Sequence, residues 1–101
     1  MIRIDKYIFR GTRRHAELNV NDPLAYLYPT SWSSQFQNAY NFIEEEENPV
    51  VLSFFSSVPV KGLYNQYNSY GENEIILYPL ILRVTKKDKV GKITMLEVTP
   101  I

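Results

Sequence analysis

The chain contains no cysteine, which excludes disulfides, thiol nucleophiles and thiolate metal sites and leaves the redox compartment open. It has one histidine, His15, too few for a histidine-rich metal site and without a neighbour to act as a second catalytic partner, so it reads as a loop residue. Net charge is also missing: eleven basic and eleven acidic residues cancel. That balance offers no electrostatic footprint for nucleic acid or an anionic membrane, and only the short stretch from Arg10 to Arg14 forms a local basic patch. No apolar run is long enough to span a bilayer, and the charged N-terminus lacks a signal-peptide pattern. A soluble protein is expected, with neither nucleic acid nor membrane as partner.

What is present is apolar and aromatic. A chain of 101 residues, 45% hydrophobic with eight Tyr and five Phe, predicts one folded domain over residues 1–101, with one core and a small site. Ile2 to Phe9 alternates, with Ile2, Ile4 and Ile8 on one face, and reads as a half-buried strand. Arg10 continues the isoleucine face, where a guanidinium needs a partner and suits a bidentate phosphate or carboxylate contact. Gly11 to Asp22 is polar, a loop or short helix ending at the turn signal Asp22-Pro23, and the brief apolar run Leu24 to Tyr28 stops at Pro29.

Phe36, Ala39, Tyr40, Phe42 and Ile43 recur at helical spacing, which predicts one main helix. Ser34 with Gln37 has the form of a capping box, and Asn48-Pro49 marks the stop after the acidic run Glu44 to Glu47, read as a solvated helix end. Beyond Pro49 the pattern is strand and turn: Val50 to Ser56, Gly62 to Gln66, Glu74 to Leu82, Arg83 to Thr85 and Lys92 to Thr99, with Lys86 to Gly91 as a hairpin turn. Strand, loop, helix and then several strands do not alternate as a doubly wound fold would. The predicted class is α+β with mostly antiparallel strands and one main helix.

The sharpest chemical feature is Gly71-Glu72-Asn73-Glu74-Ile75-Ile76-Leu77, where two carboxylates open an apolar strand. In an extended strand Glu72 and Glu74 point to the same face, roughly 6 to 7 Å apart. Such a pair suits acid and base chemistry, and an acidic strand end in solvent is the plain alternative.

Ile8-Phe9-Arg10-Gly11, Ser31-Trp32-Ser33 ahead of a helix with Ala39 and Phe42, and Glu72-Asn73-Glu74 occur in that order along the chain. The order, and the placement of the motifs on matching elements, resembles the ADP-ribosyltransferases of the arginine, serine, glutamate class, over most of the chain. The downstream strands, Leu82-Arg83-Val84-Thr85 and the final hairpin, also fall where that family has its closing strands. The stretch between Arg10 and Ser31 is shorter than is usual for the family. Trp32 stands where the family has a small central residue, and an alignment shifted by one puts Thr30 in place of Ser31.

The resemblance implies a compact ADP-ribosyltransferase-like fold and an enzyme that transfers ADP-ribose from NAD to a protein side chain, releasing nicotinamide. It implies that Arg10 holds a phosphate of NAD, that the backbone of Gly11 meets the nicotinamide amide, and that Ser33 also lines the cofactor site. Ser31 hydrogen-bonds the catalytic carboxylate, and Glu74 bonds the nicotinamide ribose and stabilises the transition state. Glu72 acts on the acceptor, arginine being the acceptor with which that first glutamate is associated. Tyr67 and Tyr70 resemble the aromatic that touches the target protein. The same site with water as acceptor would make a glycohydrolase, and a silent relative would act as a binding module. Small size suggests a phage or mobile-element effector, or a toxin, working in a host cytoplasm.

Overall fold

Val50-Val51-Leu52-Ser53-Phe54 is an almost unbroken apolar run, the composition of a strand covered on both faces. In the computed structural model of the chain it is strand β4 (Val50–Phe54), and Val50, Val51, Leu52 and Phe54 have no exposed surface. The structure describes residues 1–65 and 74–101. Around β4 lie β1 (Ile8–Thr12), β2 (Pro23–Tyr26), β3 (Thr30–Ser33), helix α1 (Phe36–Ile43), β5 (Gly62–Asn65), β6 (Glu74–Leu77), β7 (Leu80–Val90) and β8 (Ile93–Pro100). All eight strands form one sheet in the order β2-β7-β8-β4-β1-β3-β6-β5. Among the described residues the pairing is antiparallel except between β4 and β8. The predicted class, α+β with mostly antiparallel strands and one main helix, is the one observed among the described residues.

The larger core draws Leu24 and Tyr26 from edge strand β2, Leu82 and Val84 from β7, Ile8 from β1, Trp32 from β3, and Ile75 and Leu77 from β6. Tyr26 of edge strand β2 reaches Arg10 of β1, the fifth strand in the order, so the sheet curves around that core. A second, smaller cluster lies on the outer side, where Ala39 and Ile43 of α1 cover Val51. The helix can sit this close because β1 carries Gly11 beneath it: a Cβ there would collide with the Ala39 carbonyl oxygen.

Several boundaries differ from expectation, each for a local reason. Ile4 and Ile8 are buried as the alternation requires, but Ile2 makes only an isolated bridge to Val60, and the first regular strand begins at Ile8. Burial, not a ladder, produced the pattern. The run after Pro23 forms edge strand β2, paired with β7 from Pro23↔Arg83 to Tyr26↔Leu80. Pro79, which has no N–H to donate, separates β6 from β7, where one strand from Glu74 to Leu82 was expected. The expected turn at Lys86 to Gly91 is instead mostly strand, with Lys86 opposite Glu97 and the chain reversing at Gly91, φ 62°. The helix has no capping box: Gln35 is its N-cap and its side chain makes no cap bond. Ser33 Oγ instead accepts the Gln35 N–H, at 3.1 Å. Phe42, expected on the apolar face, is 80% exposed.

Candidate functional site

The site begins where a ladder ends. β1 is paired to β4 through five residues, from Ile8↔Phe54 to Thr12↔Val50, but to β3 only at Phe9↔Ser33. Past that point β1 and β3 separate, and backbone groups on their facing edges need other partners. Arg10 provides one, its Nη1 donating to the Ser31 carbonyl oxygen at 3.1 Å. A side chain thus takes up a carbonyl on the facing strand where the ladder has stopped.

Strand alternation then sorts β3. Thr30 and Trp32 point into the core, each 2% exposed, with Trp32 Nε1 donating to Thr30 Oγ1 at 2.8 Å and the indole packed on Phe54. Ser31 and Ser33 point the other way. This decides the register left open by the sequence: Thr30 holds the tryptophan, and Ser31 Oγ donates to Glu74 Oε2 at 2.5 Å. That contact joins β3 to the start of β6, two strands in register from Ser33↔Glu74 to Thr30↔Leu77. Ser33 Oγ accepts from Gln35 N–H and Asn38 Nδ2, both at 3.1 Å, and so fixes the entry to α1.

Arg10, Gly11, Ser31, Ser33 and Glu74 therefore line one cleft of about 200 Å³, walled by Phe9, Trp32, Asn38, Ala39 and Phe42. A second hollow of about 390 Å³ shares Arg10, Gly11 and Phe42 with it and is bordered by Arg13, Arg14, His15, Tyr26 and Tyr28. Arg10 stands between the two, its guanidinium 5.4 Å from the centre of the Tyr26 ring. Its Nε is buried and has no hydrogen-bond partner among the described residues. The cleft thus holds a carboxylate with its hydroxyl donor and a cation with donor capacity to spare. Such a donor set can take an anionic ligand at Arg10 and stabilise positive charge beside Glu74.

His15 sits in the second hollow with φ 79°, edge-on to Tyr26. Burial holds its pKa below the ordinary 6.5, the nearby Glu17 opposing and Arg14 and Arg10 assisting that shift. Glu72, Tyr67 and Tyr70 lie outside the described residues. Sequence reasoning gave no site role to Asn38 or Tyr26. For Phe42, the available signal was a large apolar residue just outside the buried Ala39–Ile43 stripe. No group of three or more His, Asp or Glu residues suited to a metal occurs among the described residues, and none of their helices is long and apolar enough to cross a membrane.

No protein-family model matches the sequence, and no curated protein does. Solved structures do match. The Vis toxin of Vibrio splendidus, an ADP-ribosyltransferase, superposes with a TM-score of 0.76 at 20% identity, over 98% of this chain and 49% of that one. The same enzyme in complex with agmatine gives 0.77 at 19% identity, over 98% and 50%. The ATR domain of Salmonella SpvB gives 0.68 at 9% identity, over 100% and 64%. The chain spans about half the length of the Vis structures it matches. With one curved, mostly antiparallel sheet and a single helix among the described residues, and matches over nearly its whole length, the chain has the ADP-ribosyltransferase fold.

Proposed function

We propose that this protein is an NAD-dependent mono-ADP-ribosyltransferase that modifies a protein side chain, arginine being the acceptor its glutamates suit. The observation that carries the reading is the Ser31 Oγ to Glu74 Oε2 bond of 2.5 Å in a cleft also lined by Arg10. The residues present fit NAD: Arg10 retains a buried Nε without an acceptor among the described residues, and a phosphate oxygen is the acceptor a guanidinium takes best. NAD supplies an ADP-ribosyl group whose bond to nicotinamide breaks with positive charge developing on the ribose.

The protein's own groups divide the remaining work. Arg10 binds a phosphate and sets the position of the dinucleotide, while Gly11, Ser33 and Phe42 shape the wall beside it. Ser31 holds the Glu74 carboxylate in one orientation, and the fixed negative charge of Glu74 favours the transition state, in which positive charge has moved from the nicotinamide ring to the ribose. Glu72, two positions earlier, orients the acceptor and takes the proton released as a guanidinium nitrogen bonds to the ribose. A guanidinium has a pKa above about 12 and attacks poorly without such help. Agmatine, the ligand in the Vis complex, carries a guanidinium, which supports this acceptor class. Tyr67 and Tyr70 contact the target protein.

The test is incubation with NAD and a cell lysate, following nicotinamide release and modified proteins by mass spectrometry. Wild-type protein is expected to release nicotinamide, and Glu74→Gln to lower the rate by about 10²- to 10³-fold. Glu72→Gln is expected to abolish transfer to arginine while part of the nicotinamide release persists. Equal loss of both activities contradicts that division. Free ADP-ribose without labelled protein identifies water as the acceptor and a glycohydrolase. No release from wild-type protein overturns the enzymatic reading.

A further inference from the structure

An arginine that binds a phosphate must be held in one orientation, because a long side chain tethered at a single point still pivots. Arg10 is tethered through Nη1 to the Ser31 carbonyl. Its second constraint comes from the far end of the sheet. β2 is the first strand in the sheet order and β1 the fifth, yet Tyr26 of β2 crosses the core to place its ring 5.4 Å from the Arg10 guanidinium carbon.

Tyr26 is 3% exposed, so its ring cannot swing away. His15 packs on it edge-on, with centroids 5.9 Å apart at 84°, and Tyr28 packs at 5.8 Å and 70°. Burial pushes the Tyr26 phenol above its ordinary value, outweighing the side-chain hydrogen bond with Arg10 and the charge of Arg10, which both pull it down. At neutral pH the ring is therefore uncharged, and the attraction runs from the cation to the ring quadrupole.

We infer that Tyr26, steadied by His15 and Tyr28, is a positioning residue that sets the orientation of Arg10 for phosphate binding through a cation–π contact. The inference rests on Arg10 being the phosphate-binding group of the proposed NAD site. Its physical content is separable: the ring restrains the guanidinium whatever the ligand. Two anchors, the Ser31 carbonyl at one nitrogen and the Tyr26 ring, fix the guanidinium beside the cleft.

The experiment places phenylalanine and then progressively fluorinated phenylalanines at position 26 in the full chain. Fluorine drains the ring quadrupole with little change of shape, so the fold is preserved while the cation–π term fades. Tyr26→Phe removes the phenol hydroxyl that hydrogen-bonds Arg10 and keeps the ring, so its KM for NAD is the reference for the series. Across the fluorinated series KM is expected to rise stepwise, reaching roughly two- to thirtyfold, with kcat nearly constant. In parallel, the heteronuclear NOE of the Arg10 Nε–H reports side-chain order, and it is expected to fall along the same series. A KM and an NOE that stay flat across the series overturn the inference. Should wild-type protein release no nicotinamide, the proposed activity fails while the NOE series still decides whether Tyr26 restrains Arg10.

Discussion

Along one edge β1 is zipped to β4 through five consecutive residue pairs, whereas along the other it meets β3 at one. On the zipped edge, backbone groups satisfy each other and side chains bury: Leu52 and Phe54 on one face, Val51 under α1 on the other. On the split edge, side chains take over. Arg10 bonds the Ser31 carbonyl, Ser31 bonds Glu74, and the strands part around a cleft. The two edges share the same backbone, so the difference lies in what the ladder leaves unpaired. Donors and acceptors released by a stopped ladder are available for a ligand, and the zipped neighbour keeps them in place.

This contrast is broken most severely on the zipped side. Phe54→Ala removes a fully buried ring that packs on Trp32, and is expected to lower unfolding free energy by about 3–5 kcal/mol in urea titrations. Ser31→Ala, on the split side, removes an exposed hydroxyl and is expected to change stability by no more than about 0.5 kcal/mol while nicotinamide release falls. A stability loss for Ser31→Ala as large as that for Phe54→Ala would erase the distinction between the edges.

Gly11→Ala probes the seam between the two. The new methyl meets the Ala39 carbonyl, so α1 must lift from β1, at an expected loss of about 1–3 kcal/mol. Because Ala39 and Phe42 wall the cleft, the same change is expected to lower nicotinamide release more than the stability loss alone explains. Full activity in a stably folded Gly11→Ala protein would show that α1 does not shape the site.

The smallest effect is in the turn beyond β1. The folded-state pKa of His15 is held below 6.5, chiefly by burial, so the unfolded chain binds the proton more readily. The stability associated with neutral His15 is complete above 6.5 and is lost as pH falls through the lower folded-state value. His15→Asn, which suits the positive φ of this position, is expected to flatten that decline in thermal melts. Identical pH slopes in the two proteins would contradict it.

How much of this was legible depends on where each signal lies. The continuous apolar run at Val50 and the helical spacing of Ala39 and Ile43 each reported burial directly, and both elements formed. Arg10, Ser31 and Glu74 were visible as spaced motifs, and the fold brings them to one cleft. The Thr30 or Ser31 ambiguity lay beyond the sequence because Thr-Ser-Trp-Ser permits either register. Only the burial of Trp32, with Thr30 as its acceptor, turns Ser31 outward. Tyr26 was hidden for another reason: nothing in the neighbouring residues Leu24 to Tyr28 indicates that their strand returns across the core to Arg10. His15 is half-buried in the same hollow because of that return, whereas Arg13 and Arg14 at its border stay exposed.

The proposed function requires NAD to bind in the split between β1 and β3. Its most direct test is an NMR titration of the full chain with NAD, following backbone amide shifts. The largest changes are expected at Arg10, Gly11 and Ser31 to Ser33, with Val51 to Phe54 on the zipped edge nearly unmoved. Saturating NAD that leaves Arg10 and Ser31 unshifted, or that shifts residues away from the cleft instead, would contradict it.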